Sequence, residues 1–322
     1  MPKTKFCEGL SDISDSYSAI IFDQWGVLHD GKKAFDGVVD CLKELRGRKK
    51  YIILLSNSDL CEKDNKALLK KAGIGPSLYD KIMTVGEVIA KGIETQSGDK
   101  VFDNIGKKCY SFHVGERHAF MRDTGVEYVD SIKDADFVLM SGHDRLAKPA
   151  NQLDAELKEI VKNGTRTLFA VPDSRGLLSA NYLMGVGLLN RKLRQYGGVI
   201  HSIGKPYKPI FQRCIDLLQT KDIFPGQAVM VGDTMAHDMI GADMAGIDTC
   251  FVKSGMHNGS FKKASTPAEV DRALSILIGQ YNVRPTYLIP NVTWGKALPD
   301  RKHRRRLQPG EPVKRRLKKR KL

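Results

Sequence analysis

Short apolar runs and longer amphipathic stretches take turns along this chain. Runs rich in β-branched and aromatic residues recur at 18–22, 51–55, 109–113, 136–140, 166–171, 199–203, 228–232 and 249–252. Most lack polar alternation, the pattern of strands buried on both faces of a parallel sheet. Between them, apolar positions at helical spacing predict helices near 36–47, 62–72, 85–94, 116–123, 150–163, 180–196, 207–219, 236–245 and 267–279. Strands alternating with helices throughout predict an α/β protein with parallel sheets in two units. Linkers near 96–100 and 197–205 divide the chain: residues 1–96 and 199–298 form two parts of a core, and 97–198 an inserted α/β domain. No internal repeat is visible.

The strand ends carry the chemistry. Ile20-Ile21-Phe22 runs into Asp23, and Gly26 and Gly31 let the backbone turn sharply after it. That position is where open α/β sheets collect their ligands. Ser56 ends the run Tyr51 to Leu55, so its hydroxyl and the following backbone N–H groups, from Asn57 onward, can bond a phosphate oxygen. Lys205 follows the run 199–203 and precedes Pro206, a residue suited to the first turn of a helix, where an anion is already favoured. Asp233 ends the run Ala228 to Val231, and Asp238 lies one helical turn beyond. Three carboxylates, a lysine and a hydroxyl suit a Mg²⁺-bound phosphate: hard oxygen ligands for the metal, donors for the anion.

With these four ordered motifs, over roughly residues 8 to 295, the chain resembles the haloacid dehalogenase superfamily, and within it the class IIA hydrolases with a large inserted cap. The Pro172-Asp173 pair and the Gly197-Gly198-Val199 run are secondary signals of the same resemblance. It implies a Rossmann-like core with an inserted α/β cap, and a hydrolase that uses Mg²⁺. It makes Asp23 the nucleophile, which becomes an aspartyl phosphate, and Ser56 and Asn57 holders of the phosphoryl oxygens. Lys205 then neutralises nucleophile and phosphoryl group, while Asp23, Asp233, Asp238 and the backbone carbonyl of Trp25 hold the metal. Asp173 lines the site from the cap by this resemblance; by turn chemistry it caps the following helix, and both readings stand.

One departure from the family pattern matters. Where the first motif usually reads Asp-x-Asp, this chain has Asp23-Gln24-Trp25. In the resembled phosphatases the second Asp protonates the leaving alcohol, and an indole N–H cannot. Loss of such a group lowers the rate by roughly 10²–10⁴-fold and favours leaving groups that need little protonation, such as aryl or acyl phosphates. Turn chemistry alone accounts for His29 and Asp30, and helix capping for Thr84 and Glu87. His237 sits inside the fourth motif, yet an oxygen-seeking metal has no need of it.

Charge changes the picture at one end only. Of the net +15, residues 301–322 hold twelve Lys/Arg against Glu311, a local +11, which leaves +4 for the rest. With few apolar residues this tail, 299–322, is expected to be disordered. Its two basic clusters read as a nuclear import signal or as a nucleic-acid-binding arm, and with no aromatic residue any such contact is to phosphates. Six scattered cysteines and an N-terminus without a leader pattern point to an intracellular, cytoplasmic protein, with the nucleus as the tail's alternative address. No run is long enough to span a membrane. The leading expectation is a Mg²⁺-dependent phosphatase acting on a small phosphorylated metabolite. The alternative is a catalytically weakened relative recruited to an RNA or ribonucleoprotein assembly by its tail, and self-association is left open.

Overall fold

The computed structural model describes residues 3–97, 99–112, 118–141, 150–170 and 189–295. Asp173 and the tail 299–322 lie outside them. In chain order come β1 (Lys5–Phe6), β2 (Ala19–Asp23), α1 (Val38–Gly47), β3 (Tyr51–Ser56), α2 (Glu62–Lys71), β4 (Lys81–Thr84) and α3 (Val85–Thr95). The second unit adds β5 (Lys108–Ser111), β6 (Glu127–Tyr128), β7 (Phe137–Met140), α4 (Ala150–Asn163), β8 (Arg166–Phe169), α5 (189–195) and β9 (Ile200–Ser202). The chain ends with α6 (Lys208–Gln219), β10 (Ala228–Gly232), α7 (Ile240–Met244), β11 (Asp248–Val252), α8 (Asn258–Phe261), α9 (Pro267–Tyr281) and β12 (Tyr287–Ile289).

The strands make two wholly parallel sheets, β1-β12-β11-β10-β2-β3-β4 and β6-β5-β7-β8-β9. In the larger sheet the chain leaves β2 toward β3 and β4 on one side, and returns through β10, β11 and β12 on the other. The order therefore reverses between β2 and β10, which opens a crevice at their C-terminal ends.

The unalternating runs are explained by what each face meets. Ala19 and Ile21 join a cluster with Val88, Ile89 and Phe211, while Ile20 and Phe22 join one with Leu10, Leu42 and Leu54. Helices thus cover both faces of β2, and all five of its residues are buried. The first cluster continues through Phe102 into Phe137, Leu139 and Leu168 of the smaller sheet. The two units therefore share one apolar core. The other face of the smaller sheet packs Val138 and Phe169 on Leu157, Leu189 and Leu193.

Several expectations are corrected. The strand expected at 199–203 to reopen the core is β9, which pairs with β8 at the edge of the smaller sheet. Its alternating burial and the exposed Val199 mark an edge strand, unlike the fully buried β2 and β10. The helix expected at 116–123 is reduced, among described residues, to a 3₁₀ turn at Ala119–Met121. Strands β1, β4, β6 and β12 were not expected. Each is two to four residues long, too short for a period to register. Pro206 does not open α6; Tyr207 caps that helix and Pro209 occupies its first turn. Thr84 caps α3 as expected, its hydroxyl accepting from the Glu87 N–H at 3.0 Å.

Candidate active site

β2 and β10 are apolar up to their last residues, so their first polar side chains emerge together where the strands leave the core. Val231 pairs with Phe22, which sets Gly232 beside Asp23 and carries Asp233 one residue further. On the other side Asp23 pairs with Leu55, so Ser56 lies one residue beyond. Carboxylate oxygens of Asp23, Asp233 and Asp238 all lie within 4.8 Å of one another, and the three side chains are buried.

Lys205 binds this cluster into an ionic unit. Its buried Nζ donates to Asp23 Oδ1 and to Asp238 Oδ1, at 2.6 Å each. The lysine is aimed by Asn57, whose carboxamide accepts from the Lys205 N–H at 2.7 Å and donates to the Lys205 carbonyl at 3.2 Å. Asn57, expected to hold phosphate, thus spends its side chain on positioning Lys205, and only its N–H is left to face a phosphoryl oxygen. The Ser56 hydroxyl accepts from the Ser58 N–H at 3.2 Å, which leaves its own proton to donate.

Asp238 lies in a π-helical turn, Met235–Met239, ahead of α7. Its second oxygen accepts from the Thr234 hydroxyl at 2.6 Å and from the Thr234 N–H at 3.0 Å. One oxygen of Asp233 accepts from the Met256 N–H at 2.7 Å. Thr234, Gly255 and Met256 were not anticipated, since backbone donors and close approaches leave no periodic trace. A Cβ on Gly255 or on Gly26 would fall on the Asp233 carboxylate, and one on Gly232 would fall on Asp238. Gly26 is also left-handed, at φ +81°, so it serves both the turn and the fit.

Three buried acids face one base, and their proton affinities separate accordingly. Burial, with the charges of Asp23 and Asp238 beside it, pushes Asp233 up to about 8 against the opposing Met256 N–H. Burial pushes Asp23 up to about 6, with Lys205 opposing and Asp238 adding to the rise. Burial also works against charge on Asp238, but Lys205 and the Thr234 hydroxyl hold it below the ordinary carboxylate range. Lys205 is held above its ordinary value, because Asp23 and Asp238 outweigh the penalty of burial.

Trp25 follows Asp23 by two residues and is 45% exposed, its ring nearly perpendicular to that of His29 with centroids 5.9 Å apart. Asp30 is committed to its turn, accepting from the Lys32 and Lys33 N–H groups at 2.8 Å. His237 lies beside the cluster in the π-helical turn, outside the group of carboxylates.

Comparison with known proteins bears on this arrangement. Residues 20–156 match the family model described as haloacid dehalogenase-like hydrolase, and residues 202–293 match the model for HAD-hydrolase-like proteins. The 5′-nucleotidase YutF of Bacillus subtilis is 27% identical over 248 residues, 75% of this chain and 89% of that protein. A haloacid dehalogenase-like hydrolase from Brucella suis superposes with TM-score 0.64 at 21% identity, covering 91% of this chain and all of that one. A 4-nitrophenylphosphatase from Thermotoga maritima superposes with TM-score 0.63 at 20% identity, covering 88% of this chain and 96% of the other.

Proposed function

The chain belongs to the haloacid dehalogenase-like hydrolases, and from that premise we propose that it is a Mg²⁺-dependent phosphatase of a small phosphorylated metabolite, working through Asp23. The observation that carries this reading is the bridge from Lys205 Nζ to Asp23 and Asp238, at 2.6 Å each, at the crevice between β2 and β10. The bridge favours the ionised form of a buried carboxylate and fixes its orientation at the strand ends, which is what a nucleophile requires.

The residues present fit a divalent metal. One lysine cannot balance three buried carboxylates, and burial together with the charges of Asp23 and Asp238 raises Asp233, a cluster that a divalent cation would relieve. All candidate ligands are oxygens: Asp23, Asp233, Asp238 and the backbone carbonyl of Trp25, a donor set that suits Mg²⁺. When bound, the ion neutralises phosphoryl charge and orients the group for in-line attack.

The chain's own residues do the rest. The Asp23 oxygen not gripped by Lys205 attacks phosphorus, forming the acyl phosphate as the ester P–O bond breaks and the leaving alcohol takes a proton from water. Water then attacks that phosphorus and releases inorganic phosphate, restoring Asp23. The Ser56 hydroxyl and the Asn57 N–H receive phosphoryl oxygens. Trp25 offers no proton to the leaving group, so esters with acidic alcohols react fastest.

The test is phosphate release from a panel of metabolite phosphates by purified protein, with Mg²⁺ and with EDTA. Asp23→Asn is expected to abolish release while Mg²⁺ with beryllofluoride protects only the unsubstituted protein against unfolding. Full activity in Asp23→Asn would remove the mechanism.

A further inference from the structure

An indole two residues from a nucleophile and left 45% exposed calls for an explanation. Its exposure is not looseness. A Cβ on Gly31 would collide with the six-membered ring of Trp25, so that glycine, left-handed at φ +90°, leaves the ring resting directly on its backbone. The His29 ring packs nearly perpendicular to the indole, with centroids 5.9 Å apart and an angle of 80° between the planes. His29 is itself fixed, its Nδ1 accepting from the Gly31 N–H at 3.0 Å, and burial lowers its affinity for a proton. The loop 25–31 thus folds around the tryptophan and holds it in one orientation with a surface still open.

Two other large apolar side chains leave the backbone beside the charged cluster. Tyr207, two positions beyond Lys205, is 41% exposed; Met256, whose N–H holds Asp233, is 55% exposed. A polar centre with exposed apolar residues on the adjoining backbone suits a ligand that is anionic at one end and apolar at the other.

We infer that Trp25 is a specificity-determining platform on which a planar aromatic ring of the substrate lies, which makes the substrate class aryl phosphate monoesters. This rests on the phosphatase reading. Two residues of backbone span at most about 7 Å, so the platform lies within reach of a ring carried on the ester oxygen itself. The absence of a proton donor at Trp25 agrees, since a phenol leaves with little protonation and an alkanol does not.

The test uses the full chain with MgCl₂ and two phosphonates that cannot be hydrolysed, benzylphosphonate and methylphosphonate. Trp25 and Trp294 are the two tryptophans of the chain, so Trp294→Phe isolates the emission of Trp25. Benzylphosphonate is expected to change that emission saturably and methylphosphonate to leave it unchanged. Trp25→Leu is expected to weaken benzylphosphonate roughly tenfold without weakening methylphosphonate, and Trp25→Phe to retain most of the affinity. Equal affinities for benzylphosphonate in the unsubstituted protein and in Trp25→Leu, or no binding of it at all, would overturn the platform. Turnover is scored separately on phenyl and glycerol phosphates. Binding through Trp25 without any hydrolysis keeps the platform and removes the phosphatase; hydrolysis with a silent Trp25 does the reverse.

Discussion

Replacing Asp233 by Asn should make the metal-free protein more stable at alkaline pH, although it removes a site residue. The carboxyl of Asp233 has an ordinary value of 3.8 and is raised to about 8 in the fold. The folded state therefore holds this proton more tightly than the unfolded chain does. Stability is full below about pH 4 and is lost as pH rises through about 8, at up to about 1.4 kcal/mol per pH unit. The whole rise corresponds to roughly 6 kcal/mol, and with the side chain only 3% exposed there is little water to screen it. Asn keeps an oxygen for the Met256 N–H and carries no charge at any pH. Urea unfolding in EDTA at about pH 5, 6.5 and 8 reads the difference. The variant should gain about 4 kcal/mol on the unsubstituted protein between the two extremes. Mg²⁺ at about a hundred times its Kd should then restore about 2.7 kcal/mol to the unsubstituted protein and distinctly less to the variant, which keeps the other ligands but binds the ion more weakly. A gap that does not change with pH would refute the argument, because it would mean that Asp233 titrates alike folded and unfolded.

Two further outcomes test other parts of the reasoning. Lys205→Met leaves Asp23 and Asp238 buried against each other and should lower stability by about 3–5 kcal/mol, whereas removing Lys43 from its exposed pair with Asp40 should change it by less than about 1 kcal/mol. Equal effects of the two would show that the buried bridge contributes no more than a surface pair. Removing residues 301–322 takes away the local +11 and should leave thermal stability and phosphate release unchanged while abolishing affinity for nucleic acid. On duplex DNA each phosphate contact should contribute about −0.9 to the log–log salt slope, and affinity that survives truncation would place the contact elsewhere.

What the chain's local pattern determines is extensive. β-branched runs ending in Asp23, Ser56 and Asp233 are legible because a buried strand demands apolar residues at every position, and the first polar one marks its exit. The caps at Thr84 and Thr266 are equally local, each hydroxyl meeting the N–H three residues on, and the signal of a two-unit α/β protein follows from strands alternating with helices. These features depend only on neighbours in sequence, so they survive without a structure.

The tertiary structure decided what depends on distant residues meeting. Asn57 turns its carboxamide to Lys205, 148 positions away, and Lys205 reaches Asp23 across 182. Nothing periodic announces either pairing, and an Asn beside a serine at a strand end reads as a phosphate ligand until its partner is seen. Gly232 and Gly255 carry no local sign of their role until the carboxylates that need their missing Cβ atoms lie against them. Strand β9 joins the smaller sheet because its neighbour there is β8, a choice made by which edge is open and not by its own composition. Trp25 is legible as a lost acid; only the fold, by resting its ring on Gly31 and leaving it open, makes it a surface. Periodicity records whether a position faces water or core, while the identity of its neighbour is set by how the whole chain closes.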